Sequence, residues 1–321
     1  MALDIHEPGL ATTVQDRGRF GYYKYGLPQC GAMDLYSASA GNRLVGNPPE
    51  AAVLECSYTG PRFTTDRDAV IAVTGAPVEV LVNDEPVPAW SRIELREGDT
   101  VHFGLIKGGM KYYIAVAGGI DVPMVLGSRS TYAIGALGGF EGRALRKGDL
   151  VPVGEPAPNG LSLLEHVPDE LVPAFEREVE VRVMLGLYDI KLADEGLHNL
   201  LEEDWKLTPV ADRMGLRYQG PGVVWKQEEQ PFGAGQDPSN IVDAGYAVGS
   251  IQIPGGTQPI VLHREAVSGG GYAMVATVIS ADLDHVARSA PGTTTRFVAV
   301  TMDEALAARA DAREREARLW S

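Results

Sequence analysis

The sequence predicts a mainly β protein in two strand-rich halves, with few helices. Short apolar runs interleaved with polar residues recur along most of the 321-residue chain. The composition, Gly 38 and Pro 21, supplies the tight turns that many short strands require. A Pro- and Gly-rich stretch, "PVGEPAPNG" from Pro152 to Gly160, parts two such blocks.

Taken in order, "AVIAVTGAPVEVLVNDEPV" reads as β-rich runs broken at Gly75-Ala76-Pro77 and turning again at Asn83-Asp84. "SRIELREGDTVHFGLI" alternates around Glu97-Gly98-Asp99 and reads as a hairpin. "KYYIAVAGGI" is a continuous apolar strand ending on paired glycines. Strand pattern resumes at "EVEVRVML" and continues through "YAVGSIQIPGGTQPIVLHRE", "YAMVATVIS" and "TTRFVAV". Three segments read as helices: "DLYSASAGNRLVG", "ADLDHVARSA" and the tail "MDEALAARADAREREARLW", the last as an exposed terminal helix with solvated charges. The expected organisation is a first domain over 1–157, a linker or helical segment over 158–178, a second domain over 179–303 and a helical tail over 304–321.

Charge and composition exclude several classes. Lys+Arg 28 against Asp+Glu 43 leaves a formal charge of -15, which repels nucleic acid and anionic membranes. Two cysteines, Cys30 and Cys56, cannot make a disulfide framework. No apolar run approaches the ~20 residues of a membrane span, and "MALDIHEPGL" lacks the regions of a signal peptide, so a soluble, cytoplasmic protein is expected. The six histidines (His6, His102, His166, His198, His263, His285) are scattered without zinc spacing, and no metal site is expected. Neither a nucleophile elbow nor a P-loop is present, and the glycines of "GGGYAMVATVISAD" do not open a helix as a dinucleotide fingerprint would. Met110-Lys111 comes nearest to a biotin-carrying lysine, but it runs directly into the strand "YYIAV", so no covalently bound biotin is expected.

What remains are four clusters in which Gly, Arg, acids and hydroxyls converge. The first, "TVQDRGRFGYYKYGLPQCGAMD", sets Asp16, Arg17, Arg19, Lys24 and Asp34 among aromatic residues and glycines. The second, "GSRSTYAIGALGGFEGRALRKGD", carries Ser128, Arg129, Ser130, Thr131, Gly138-Gly139 and Arg143. The third is "VADRMGLRYQG" with Arg213, and the fourth "HREAVSGGGY" with Glu265, Gly270, Gly271 and Tyr272. Glycines let backbone approach a ligand, arginines offer a two-pronged fork to anionic oxygens, and nearby acids orient the fork or move protons. Any one cluster also suits a β-turn closed by an ion pair; four together point to at least one shared ligand site. Val14-Gln15-Asp16-Arg17 with Tyr22 repeats the spacing of Val210-Ala211-Asp212-Arg213 with Tyr218, a short echo that either an internal duplication or chance would produce.

These segments, with "VTGAPVEVLVND", "YYIAVAGGIDVPMVLGSRSTY", "DRMGLRYQG", "GSIQIPGGTQPIVL" and "GGYAMVATVISADL", resemble in content and order the biotin-dependent carboxyltransferase family. That family includes allophanate hydrolase subunit 2, the C component of 5-oxoprolinase, the carboxyltransferase half of urea carboxylase, and an antagonist of a sporulation kinase inhibitor. The resemblance implies two cyclophilin-like β-barrels with the site between them. It implies a hetero-oligomeric enzyme subunit that works with a subunit-1 protein, the partner supplying any ATP or biotin. The reaction would be ATP-linked amide or lactam hydrolysis, or biotin-dependent carboxyl transfer, on a small urea-like, allophanate or 5-oxoproline-like compound. The alternative is a non-catalytic regulator that binds and antagonises a partner inhibitor. Asp16, Asp34 and Glu265 would be the catalytic acids. Arg17, Arg19, Ser128, Arg129, Ser130, Arg213, Gly270, Gly271 and Tyr272 would bind substrate. One departure stands out: where the family writes D-x-Q-T-T-G-G-Y, this chain has Glu265-Ala266-Val267-Ser268-Gly269-Gly270-Gly271-Tyr272, which replaces an amide side chain by Val267 and a hydroxyl by Gly269.

Overall fold

Apolar side chains on both faces of a strand demand cover on both faces, and this requirement organises the first half of the chain. A computed structural model describes residues 1–156 and 164–321; part of the expected 158–178 linker therefore lies outside the described residues. Two units are present, one of Met1–Phe20, Cys30–Phe175 and Arg315–Ser321, the other of Gly21–Gln29 and Glu176–Glu314.

The first unit contains β1 (Ala2–Glu7), β2 (Thr13–Gln15), α1 (Leu35–Leu44), β3 (Val53–Ser57), β4 (Arg62–Thr65), β5 (Ala69–Gly75), β6 (Val80–Val82), β7 (Glu85–Val87), β8 (Arg92–Leu95), β9 (Thr100–Phe103), β10 (Lys111–Val116) and β11 (Leu150–Pro152). They form a six-stranded sheet, β11-β1-β4-β9-β6-β7, and a five-stranded sheet, β2-β3-β10-β5-β8. One apolar cluster takes Leu3, Ile5, Phe63 and Val101 from the first sheet and Leu54, Ile71, Tyr112 and Ile114 from the second. The alternate residues Tyr113, Ala115 and Ala72 join a second cluster with Ala40 and Leu44 of α1. With both faces covered, β10 reads as the unbroken apolar run seen in the sequence.

Asn83 and Asp84 adopt φ of 52° and 67° and close β6 onto β7, as their pairing in the sequence predicts. The Glu97-Gly98-Asp99 turn departs from expectation. It does not close a hairpin, because β8 pairs with β5 in one sheet while β9 pairs with β4 and β6 in the other. Asp68 fixes this crossing: it accepts the Glu97 N–H at 3.0 Å and the Arg96 guanidinium at 3.0 Å. Alternation of residues predicts strands but carries no information on which neighbour each strand pairs with.

The second unit contains β12 (Glu178–Leu185), α2 (Asp194–Glu202), β13 (Trp205–Ala211), β14 (Gly215–Gln219), β15 (Asn240–Gly245), β16 (Ser250–Gln252), β17 (Ile260–Leu262), β18 (Gly269–Tyr272), β19 (Met274–Val278), α3 (Leu283–Arg288) and β20 (Thr294–Ala299). Seven of these strands close a barrel in the order β12-β19-β16-β17-β14-β13-β20, and β15 and β18 form a separate two-stranded ribbon. Val181, Trp205, Leu207, Tyr218, Ile251 and Phe297 are fully buried, with Tyr218 and Phe297 edge to face at 5.5 Å between centroids. The short α2 is not among the helices expected from the sequence, although Asp194 and Glu195 in its first turn and Leu197, Leu200 and Leu201 on one face mark it; a Cβ on Gly196 would meet the Val224 carbonyl at 2.2 Å.

The last helix, α4 (Met302–Trp320), corrects the expectation of a wholly solvated tail. Its final residues, 315–321, belong to the first unit. Leu319 is buried in the α1 cluster, Arg43 Nε donates to its carbonyl at 3.2 Å, and Arg315 lies 4.8 Å above the Tyr36 ring. Leu319→Ala is therefore expected to lower stability by about 2–4 kcal/mol, the usual cost of emptying a buried leucine site. Chemical denaturation reads this directly, and a change below about 0.5 kcal/mol, typical of a surface position, would show that the tail is not docked.

Candidate active site in the first unit

Strand β2 ends at Gln15, and the next residue, Asp16, organises everything around it. Its Oδ1 accepts hydrogen bonds from the Gly18 N–H (2.8 Å), the Ser128 hydroxyl (2.7 Å) and the Ser130 hydroxyl (2.5 Å), while Oδ2 accepts the Arg129 N–H at 2.6 Å. The Asp16 N–H in turn donates to Ser130 Oγ at 3.0 Å. The turn bearing Ser128 is tight: Val125 and Ser128 exchange backbone hydrogen bonds, with Leu126 and Gly127 at positive φ. Thr131 then adds its N–H and hydroxyl to the Val14 carbonyl, which seats the whole 128–131 segment on β2. On the other side Ala32 N–H donates to the Asp16 carbonyl, and a Cβ on Gly31 would stand 2.9 Å from the Arg17 carbonyl carbon. Only glycine, at φ 86°, allows that approach.

Three of these four charge-assisted bonds fall on Oδ1 and one on Oδ2, so the carboxylate ties the loop firmly to the strand end. Asp16 anchors the loop at the edge of a cleft, and Arg17 and Arg129 stand beside it. Arg129 donates Nε to the Val122 carbonyl and Nη2 to Asp121 at 2.9 Å, with about a third of its side chain exposed. Arg17 donates Nη2 to Glu316 at 2.8 Å and is exposed to a similar degree. Asp16, Arg17 and Arg129 line a cleft of about 420 Å³ with Asp121, Glu50, Phe20, Met124, Ile120 and the Gly118-Gly119 turn. That turn is held by Asn47, which accepts the Gly118 N–H and donates to the Val116 carbonyl, both at 2.8 Å.

Other expected site residues lie elsewhere. Arg19 is fully buried, bonded to the Val125 and Ser130 carbonyls, and its Nη1 has no partner among the described residues. It supports the same loop from beneath. Asp34 is the N-cap of α1: its oxygens accept from the N–H and hydroxyl of Ser37. Arg143 forks onto both oxygens of Asp149, which holds that carboxyl below its usual range, the backbone N–H of Arg146 adding to the effect.

The second unit assembles its own cluster. Asp212 follows β13 as Asp16 follows β2, and it too accepts the N–H two residues on, that of Met214 at 2.8 Å. The two V-x-D-R segments thus share local geometry as well as spacing. Arg213 Nε donates to Glu265 Oε1 at 2.5 Å, both side chains are largely buried, and the Glu265 N–H donates to the Arg213 carbonyl. Gly270, Gly271 and Tyr272 lie in β18, where the Tyr246 hydroxyl bridges the N–H and carbonyl of Tyr272. Val267, at the departure from the family pattern, is half exposed. Among the described residues no group of three or more His, Cys, Asp or Glu is arranged to hold a metal ion, and no helix is long and apolar enough to cross a membrane.

Reading the sequence missed Glu316, Asp121 and the Gly118-Gly119 turn. The signal for Glu316 was the apolar pair Leu319-Trp320 in an otherwise charged helix, which marks a docked end. Asp121 and the glycine turn lay in plain view after β10 but read only as a strand terminus.

Residues 25–299 match a family model described as the carboxyltransferase domain, subdomain A and B. The chain is 33% identical over 309 residues to the C component of 5-oxoprolinase from Escherichia coli, an alignment covering 96% of this chain and 94% of that protein. It is 33% identical over 310 residues to a urea amidolyase of Saccharomyces cerevisiae, covering 94% of this chain but 17% of that protein, so the chain spans about a sixth of it. The crystal structure of the K. lactis urea amidolyase superposes with a TM-score of 0.92 at 32% identity, over 99% of this chain and 20% of that one.

The geometry sets two expectations for variants. Asp16→Asn turns one acceptor oxygen into a donor facing donors, and should cost about 2–3 kcal/mol in stability, the scale of hydrogen bonds to a charged group. Glu265→Gln removes the charge from the largely buried carboxylate that accepts from Arg213 Nε and should cost about 1.5–3 kcal/mol, the scale of a charge-assisted hydrogen bond. Urea denaturation midpoints report both; unchanged midpoints would mean that these carboxylates do not support the fold.

Proposed function

Because this chain belongs to the carboxyltransferase domain family, we propose that it serves as one subunit of an enzyme acting on a small amide, lactam or urea-like compound, together with a subunit-1-type partner. The observation that carries this reading is the match along almost the whole of a protein named as the C component of 5-oxoprolinase. It favours a lactam such as 5-oxoproline over urea as the substrate.

The first unit's cleft suits such a substrate in size and chemistry. A volume of about 420 Å³ falls in the range of small-molecule sites. Arg17 and Arg129 supply donors for a carboxylate or carbonyl oxygen, Asp121 and Glu50 supply acceptors for a ring N–H, and Phe20 and Met124 give apolar contact. In this reading Asp16 holds the loop that carries Arg129 and does not itself move a proton. ATP or biotin chemistry would enter with the partner. Lys111 is nearly buried and donates to Ser57 Oγ at 2.6 Å with Glu55 Oε1 at 3.6 Å, an environment closed to a biotin ligase.

The test is reconstitution with subunit-1-type proteins from the same organism, assaying ATP-dependent release of glutamate from 5-oxoproline and, in parallel, ATP-dependent turnover of urea. Co-elution and 5-oxoproline turnover only in the complete mixture are expected. Arg129→Ala should lower kcat/KM by about ten- to a hundredfold, the loss of one charge-assisted hydrogen bond in the transition state. Separate elution with no turnover of either compound would overturn the proposal. Intact mass after co-expression with biotin ligase should equal that of the unmodified chain; an added biotinyl mass would refute the assignment of cofactors to the partner.

A further inference from the structure

Arg17 stands at the wall of the cleft on a long, partly exposed side chain, and a side chain of that kind samples many rotamers unless something holds it. What holds it comes from the opposite end of the sequence. Glu316 Oε1 accepts from Arg17 Nη2 at 2.8 Å and from the Ser39 hydroxyl at 3.1 Å. Ser39 is buried in α1, and its Oγ also accepts the indole N–H of Trp320 at 3.0 Å. The Ser39 hydroxyl thus accepts from Trp320 on a lone pair and gives its single proton to Glu316. The chain of bonds therefore runs one way, from Trp320 through Ser39 to Glu316, where it meets the arginine. Burial of Leu319 and the bond from Arg43 to its carbonyl prevent this end of the helix from sliding.

We propose that Glu316 is a positioning residue, which orients the Arg17 guanidinium at the cleft by binding Nη2 and leaving the rest of the fork to a ligand. An isolated, partly exposed ion pair would do this weakly. Here the carboxylate is itself fixed by a buried hydroxyl and a docked tryptophan, so the arginine meets an acceptor that is already oriented. The functional consequence rests on the reading of the cleft as the substrate site; the arrangement of Arg17 does not.

The experiment separates the two. Native protein is treated with phenylglyoxal, which attacks guanidinium groups that are not engaged with a carboxylate, and modification of Arg17 and Arg129 is followed by peptide mass spectrometry. In Glu316→Gln the rate at Arg17 should rise about threefold, the size set by losing a partly exposed pair, with Arg129 unchanged. Trp320→Phe, which keeps the ring packing but removes the N–H, should raise it in the same direction, and Glu316→Asp should partly restore protection. Should Glu316→Gln fail to fold, Trp320→Phe carries the comparison alone. Equal Arg17 rates in the wild type and the folded variants would overturn the proposal. In the reconstituted enzyme, Glu316→Gln should raise KM with kcat nearly retained. If even the wild type turns nothing over, the functional reading fails while the labelling result still decides the role of Glu316.

Discussion

One carboxylate receiving four hydrogen bonds is the interaction on which the first unit's cleft depends. Asp16 closes two segments that are more than a hundred residues apart in sequence, the end of β2 and the 128–131 turn. A loop with several polar groups has to satisfy them somewhere, and a short ionised acceptor at a strand end satisfies four at once. Remove it and the Ser128 hydroxyl, the Ser130 hydroxyl and the Arg129 N–H lose a common target. The backbone that carries Arg129 then loses its anchor, and its guanidinium is left with the Val122 carbonyl and Asp121. Charge placed on a rigid loop is what distinguishes a binding wall from a solvated surface.

A second level of support surrounds this. Buried Arg19 ties the Val125 and Ser130 carbonyls from below, and Asn47 fixes the glycine turn across the cleft. Both are polar groups in fully enclosed positions, where an unmet hydrogen bond is costly and a met one is rigid. The docked end of α4 adds an acid to this wall. The second unit uses the same device in reduced form: an aspartate after a strand, a turn closed on its carboxylate, and an arginine beside it paired to a buried acid.

The mainly β character was legible because alternation, turn residues and a continuous apolar run at Lys111–Val116 are local signals. The β6–β7 hairpin was legible for the same reason, since Asn83 and Asp84 accept positive φ. The crossing from β8 to β9 was not, because partner choice is decided by distant strands. For the site, "QDRGR" and "GSRS" were identifiable as polar, glycine-jointed clusters, and the structure does bring Asp16, Ser128, Arg129 and Ser130 together. Their division of labour was hidden. The sequence could not show that Asp16 would gather the Gly18, Ser128, Arg129 and Ser130 donors or that Glu265 would accept from Arg213, because those partners are brought in by tertiary contacts. Asp34 could have been read as a cap from its place before "LYSASAG", and Glu316 only from the apolar residues that follow it.

Hydrogen exchange at the amides of Gly18 and Arg129 tests the central role of Asp16 most directly, because both donate to its carboxylate in a segment without regular secondary structure. If that carboxylate organises the cleft, these two N–H groups exchange on the slow timescale of the buried β10 amides in the wild-type protein. Exchange at the rate of exposed loop amides such as Lys147 would contradict the account.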